Sequence, residues 1–383
     1  MTLKIGIAAI ALTLSTASAS AFADIKIGFV SSLTGPTASL GLPLVHGLQA
    51  ARTYRSEVAG HKITVIQYDD ASDPTTATRN ARKLVNEDKV DAILGGTGTP
   101  AALAIAAVAH ETKTPLLALS AANLKGEPGS WMLTVPQPGE LMVEALVEHM
   151  KKNGNIKKVG YIGFSDPWGD LVYAALKANL AGTDIDVVTN ERFARVDTSV
   201  TGQTLKILAA RPDAVVTGTS GTPGTLPFLT LRERGYKGLL YGLHGLINPD
   251  FVRVGGTAVE GVIVPAGPVV VADQLPDSNP SKQLTLEFRK AYEKANGEPP
   301  SGAISAYAFD AWLLVTDAAA RAVKNAEPGT PEFRIALREA LVSTKELAGT
   351  HGVYNYTPDS RFGSDERSRI LVTLKNGQWK ILD

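Results

Sequence analysis

The sequence predicts an α/β protein of two lobes built on parallel sheets, and three observations carry that expectation. Beyond the first two dozen residues about 360 remain, roughly twice the commonest size of a single domain. From Ile25 onward, short β-branched or apolar runs alternate with longer amphipathic ones, the pattern of parallel strands flanked by helices. Two proline-glycine clusters, Val135-Pro136-Gln137-Pro138-Gly139 and Pro265-Ala266-Gly267-Pro268, interrupt that rhythm where a chain passing between lobes would turn.

The N-terminus reads as a secretory leader over residues 1–23. Lys4 precedes the apolar run Ile5 to Leu14, Ser15 to Ser20 follow, and Ala21-Phe22-Ala23 puts small residues at the two positions a signal peptidase reads. The apolar run is about 10 residues long where a membrane span needs about 20. Cleavage after Ala23 would leave Asp24 first, and because Asp24 is not Cys it offers no thioether lipid anchor.

The first strands are expected at Ile25 to Val30, Ile63 to Tyr68, Val90 to Leu94 and Leu116 to Leu119, with helices at Gly41 to Glu57, Pro74 to Asn86 and Pro100 to Glu111 between them. Asp73 is placed to cap the second helix, with Pro74 at its first position. After the first break a helix over Glu140 to Lys152 opens a second lobe. Its strands are expected at Val159 to Gly163, Val187 to Glu191, Ala214 to Thr217, Leu239 to Tyr241 and Val262 to Val264, with helices at Leu171 to Ala181 and Val200 to Ala210. After the second break come helices at Ser281 to Asn296, Ile304 to Val323 and Pro331 to Leu341, which have no strands of their own and complete the first lobe most economically. The tail strands Ile370 to Leu374 and Trp379 to Leu382 then need a third crossing, expected near His351. This gives a first lobe of residues 24–136 plus 267–350 and a second of 137–266 plus 351–383.

Composition removes several function classes. Lys plus Arg equals Asp plus Glu at 38 each, so the basic footprint of a nucleic-acid binder is missing. With no Cys, thiol catalysis, disulfides and thiolate metal sites are excluded. His46, His61, His110, His149, His244 and His351 lack metal-ligand spacing, and no Gly-x-Ser-x-Gly elbow or His-Glu-x-x-His stands in the chain. The expectation is a protein without catalytic residues, metal or cofactor. Gly96-x-Gly98-x-x-Ala101 fits a relaxed dinucleotide fingerprint, but it follows the third strand rather than the first, and Leu119-Ser120-Ala121 supplies no acid at the end of the next.

What the Gly95 to Ala101 loop does offer is a helix N-terminus approached by glycines, with the hydroxyl of Thr99 beside it, a setting suited to a small carboxylate. Ser31, Ser32, Thr34 and Ser120-Ala121-Ala122-Asn123 add hydroxyls and amides at the carboxyl ends of strands, the rim where open α/β sheets bind ligands. Each of these residue types is ordinary in loops and caps, and the clustering is what marks the rim. Trp168, in Asp166-Pro167-Trp168-Gly169-Asp170, sits between a strand and a helix, where its indole is either covered by a ligand ring or packed beneath the helix it opens. Asp69 and Asp70 are adjacent on a strand and point to opposite faces, the mark of a polar strand end rather than a catalytic pair.

Together, Ile25-Lys26-Ile27-Gly28 leading to Thr34-Gly35-Pro36, Tyr68 to Pro74, the Gly95 to Pro100 loop, Asp166 to Gly169 and Pro300-Ser301-Gly302-Ala303 resemble the leucine/isoleucine/valine-binding type of periplasmic solute-binding protein, from ABC importers. The resemblance covers the mature chain and implies a type I periplasmic binding fold, with two Rossmann-like lobes, three crossovers and a ligand held between them in the periplasm. It implies that Thr99, Ala121 and Asn123 hold a ligand carboxylate and that Trp168 covers the ligand. Ser220 and Ile304 are expected to line the pocket. The family's disulfide pair falls on Ser72 and Gly98, and its acid for a ligand ammonium falls on His244 in Leu243-His244-Gly245. A buried ammonium without a counter-charge costs several kcal/mol, so the loss of that acid argues against an amino acid.

The resulting expectation is a monomeric receptor that binds a small aromatic carboxylate of the benzoate, hydroxybenzoate or phenylpropanoid type and passes it to an ABC permease, with His244 meeting a ring hydroxyl or the carboxylate. The alternatives are a branched-chain amino acid receptor and a ligand sensor for a membrane kinase.

Overall fold

The computed structural model describes residues 23–122 and 131–382. Residues 1–22 of the expected leader, and Asn123, lie outside the described residues. The first lobe opens with β1 (Ile25–Ser31), α1 (Ala38–Tyr54), β2 (Glu57–Val58), β3 (His61–Asp69), α2 (Pro74–Asn86), β4 (Ala92–Gly95), α3 (Thr99–Thr112), β5 (Leu116–Ala118) and β6 (Met132–Thr134). The second contains α4 (Gly139–Asn153), β7 (Lys158–Phe164), α5 (Pro167–Leu180), β8 (Asp186–Phe193), α6 (Thr201–Ala210), β9 (Ala214–Gly218), α7 (Leu226–Glu233), β10 (Leu239–Tyr241), α8 (Pro249–Gly255) and β11 (Ile263–Ala266). The chain ends with α9 (Pro280–Asn296), α10 (Ile304–Ala322), α11 (Pro331–Val342), β12 (Leu347–Ala348), β13 (Val353–Tyr354), β14 (Ile370–Lys375) and β15 (Gln378–Ile381).

The first sheet runs β2-β3-β1-β4-β5-β6 and the second β15-β14-β11-β10-β9-β7-β8. Strands β1, β3, β4, β5 and β6 run parallel to one another, as do β7 to β11, whereas the short β2 pairs antiparallel with β3, and β14 and β15 close the second sheet antiparallel. Helices cover both faces, which is why β4 and β9 are buried along their whole length and read as continuous apolar runs. The cap expected at Asp73 forms: its carboxylate accepts the Thr76 amide at 2.8 Å, with Pro74 in the first turn.

The late helices return to the first lobe. Helix α10 is buried on nearly every face and packs on α1, and the Trp312 indole donates to the Arg55 carbonyl at 2.9 Å. The third crossing falls later than His351. The Tyr356 hydroxyl donates to the Thr134 carbonyl at 2.8 Å, the Thr134 amide donates to the Arg361 carbonyl at 2.7 Å, and Phe362 bridges Thr134 in parallel. The physical reason is that β6 is the edge of the first sheet, and this segment satisfies its open ladder before the chain enters the second sheet at Ile370.

The passages between lobes are tied together by Gln137, which is fully buried. Its amide donates to the Ser368 carbonyl at 3.0 Å and its carbonyl accepts the Tyr307 hydroxyl at 2.7 Å. A Cβ on Gly267 would lie 2.4 Å from His351 Nδ1 and 2.8 Å from Gln137 Nε2, so only glycine lets the second passage pack against Gln137 and His351. Away from this hinge the lobes also meet, where the Thr222 amide donates to the Ser39 hydroxyl at 3.0 Å.

Candidate functional site

Between the lobes lies a cavity of about 460 Å3, open mouth included, at the carboxyl ends of both parallel sheets. The structure brings Thr99, Ala121, Trp168, Ser220, His244 and Ile304 to its walls. Asn123 lies outside the described residues.

The first-lobe wall is the turn from β4 into α3. Gly96 has φ +83°, and a Cβ there would sit 2.5 Å from the Ala102 Cα, so the glycine is required for the helix to fold back against its own loop. The Thr99 hydroxyl donates to the Ala121 carbonyl at 2.8 Å, so its proton is already engaged, whereas the first-turn amides of α3 have no acceptor within the helix, a setting suited to an anion. Ser120 adds a hydroxyl whose oxygen is buried without a protein partner.

The rim hydroxyls after β1 do something else. Ser31 donates to the Gly41 carbonyl at 3.0 Å, Ser32 to Asp70 at 2.6 Å and Thr34 to Asp69 at 3.0 Å. They brace loops and do not line the cavity. Asp69 and Asp70 hold the same turn, accepting the amides of Leu33, Ala71 and Ser72.

The second-lobe wall begins with Trp168, held by Asp166, whose carboxylate caps α5 by accepting the Trp168 amide at 2.9 Å and the Gly169 amide at 3.2 Å. The indole is at once packed and pocket-facing: it is buried, donates to the Thr219 carbonyl at 3.3 Å, and meets the His244 ring edge-on with centroids 5.7 Å apart. Burial pushes the His244 pKa down to about 4, so the imidazole is neutral, and its Nδ1 has no protein partner. The cavity is closed from α10 by Ile304 and Tyr307. Tyr307 stacks on His351 at 3.7 Å between centroids while its hydroxyl holds Gln137, so one wall of the cavity is also part of the hinge.

Tyr307 and Arg195 are among the lining residues that the sequence reading did not single out. Tyr307 carries no local signal, because only the return of α10 brings it to the cleft. Arg195 had one: it follows β8 at the carboxyl end, the position that marks a rim. Its guanidinium pairs with Asp166 at 2.6 Å, donates to Ser220 Oγ at 3.1 Å and lies 4.0 Å over the Phe164 ring. Among the described residues lining the cavity it is the one charged side chain. No group of three or more His, Asp or Glu with metal-holding geometry occurs among the described residues, and no helix there is long and apolar enough to cross a membrane.

A fold of two doubly wound lobes around a ligand-sized cleft, with a three-segment hinge, defines a binding receptor. A model of the periplasmic binding protein family matches residues 24–366, and the chain belongs to that family. An extracellular ligand-binding receptor from Rhodopseudomonas palustris HaA2 is 44% identical, with TM-score 0.90, over 94% of this chain and 100% of that one. Leu/Ile/Val-binding protein homolog 3 of Brucella melitensis is 27% identical over 67% of this chain and 70% of its own length. The solute-binding protein of an ABC transporter from R. palustris, solved with benzoate, has TM-score 0.76 at 22% identity, covering 94% of this chain and 95% of that one. At that identity the likeness is one of fold. The family comprises substrate-binding receptors rather than enzymes, related to branched-chain amino acid binders of ABC transporters.

Proposed function

We propose that this protein is the periplasmic receptor of an ABC importer and that it binds a small aromatic carboxylate between its lobes, delivering it unchanged to the permease. The observation that carries the ligand reading is the character of the cavity walls. Among the described residues they hold a helix N-terminus, one guanidinium, the rings of Trp168, His244 and Tyr307, and no carboxylate. An amino acid would bring an ammonium that meets only a neutral imidazole at the position where the resemblance expects an acid. Asp166 does not replace that acid, because its two oxygens serve the α5 cap and Arg195. Leaving such a cation unpaired costs several kcal/mol.

The test is calorimetric titration of the purified protein with benzoate-type and phenylpropanoid acids against leucine, isoleucine and valine, preceded by a thermal-shift screen. At least tenfold tighter binding of an aromatic acid than of leucine is expected. Micromolar leucine binding with no response to aromatic acids would overturn this reading and put a branched-chain amino acid receptor, as the Brucella relative is named, in its place.

A further inference from the structure

The polar groups of the cavity fall into two opposed sets. On the first lobe are the α3 N-terminus and Ser120; on the second are Arg195, Ser220 and His244; the apolar side chains of Leu40, Leu44, Leu119 and Ile304 complete the lining. A benzoate ion has oxygens at one end only, so it would satisfy one set and leave the other facing a bare ring edge.

Arg195 makes that mismatch acute. A guanidinium carries five N–H donors. Here Nε is taken by Asp166 at 2.6 Å and one Nη1 proton by Ser220 at 3.1 Å, and Nη2 has no acceptor among the described residues. The group is not free to turn elsewhere, because Asp166 fixes one edge, Phe164 covers one face at 4.0 Å, and only 14% of the side chain is exposed. Asp166 offsets the charge while taking only the Nε donor, so what remains is a rigid set of Nη N–H groups beside the Ser220 hydroxyl and the unpartnered Nδ1 of His244. Such a set is matched by an uncharged or weakly charged oxygen, not by a second full carboxylate, since the ion pair already cancels the charge.

Resting on the aromatic-carboxylate reading, we propose that Arg195 is the specificity-determining residue of this site, receiving with Ser220 a ring oxygen opposite the carboxylate, so that the ligand class is ring-hydroxylated aromatic acids. A site that leaves buried donors unpaired rejects the analogue lacking the acceptor far more strongly than a site that merely loses contact area.

The experiment is titration calorimetry with 4-hydroxybenzoate, benzoate and 4-methylbenzoate. The methyl compound matches the hydroxyl in size and offers no acceptor. Wild-type protein is expected to bind 4-hydroxybenzoate at least tenfold tighter than either of the others. Arg195→Gln is expected to weaken 4-hydroxybenzoate, to leave the other two near their wild-type affinity, and so to bring the ratio within about threefold, a readout that simple loss of stability would not move. Arg195→Lys keeps a cation for Asp166 and serves if the glutamine variant does not fold; it should give an intermediate ratio. Equal wild-type affinities for the three acids, or a ratio unchanged in the variant that folds, overturns the role of Arg195 while leaving the aromatic-carboxylate reading in place. Binding of leucine with none of the three acids overturns that reading itself.

Discussion

The contact between Ser39 and Thr222 gives closure of the lobes a measurable handle. Ser39 stands in the first turn of α1 and Thr222 just beyond β9, so their hydrogen bond joins the two lobes away from the hinge and exists only when the cleft is shut. In the open form water satisfies both groups, so removing the hydroxyl charges its whole effect to the closed state. Ser39→Ala leaves the Thr222 amide without its acceptor, a loss of about 1 kcal/mol for a bond of this kind. Because the ligand is held by the closed state, that difference appears directly in binding as roughly a fivefold rise in Kd. Alanine favours helix at least as well as serine, so the ligand-free melting temperature should not fall. Calorimetry on the acid that binds best gives Kd, and small-angle scattering with and without that acid gives the change in radius of gyration. An unchanged Kd in a variant that still compacts on binding would refute the idea that this contact contributes to closure.

His244→Glu puts a carboxylate against the aromatic acid and beside Trp168, and is expected to weaken the acid at least tenfold by calorimetry; unchanged affinity would remove His244 from the ligand's surroundings. Trp168→Ala empties a buried, hydrogen-bonded position and should lower stability by about 3–5 kcal/mol as well as affinity, read from urea unfolding with and without ligand. Stability should rise with pH across roughly 4 to 6.5. Burial lowers the pKa of His244 to about 4 and of His351 to about 3, so below 6.5 the unfolded chain takes up two protons that the native state refuses. Asp310 opposes this, because burial raises its pKa to about 6 and the native state keeps a proton that the unfolded chain releases. Of these three groups the two histidines outweigh the one acid, a contribution of about one proton, or about 1.4 kcal/mol per pH unit, to the slope. Melting temperature against pH checks it; His351→Gln should flatten the slope, and an unchanged slope would exclude His351 as its source.

Much of the architecture is legible in the chain because parallel strands buried on both faces write themselves as apolar runs. Helix α2 and strand β10 fall where periodicity places them. Elements whose order comes from elsewhere in the fold are less visible. Helix α7 is only Leu226–Glu233 and α8 only Pro249–Gly255, each too short for a period to emerge, and β6 spans three residues that pair only because β5 and the Arg361 to Phe362 segment lie on either side. The crossing expected near His351 moves for the same reason: nothing local to His351 announces that the chain must first cover the open edge of β6.

The cavity shows the same division between what a residue is and what it reaches. Thr99, Ala121, Trp168, Ser220, His244 and Ile304 all reach its walls, because strand ends and helix starts are set by the local pattern and the cleft lies wherever those ends converge. Sequence places a hydroxyl at the start of α3 but does not say where its proton goes. In the structure that proton is directed at the Ala121 carbonyl, so Thr99 ties the start of α3 to the loop after β5. The other polar groups of the cavity are the α3 amides and Ser120 on one lobe and Arg195 with Ser220 on the other. How many of their hydrogen-bonding sites the protein itself fills is a property of the packed chain: the Ser120 hydroxyl has no protein partner, whereas Arg195 is held by Asp166 and Ser220.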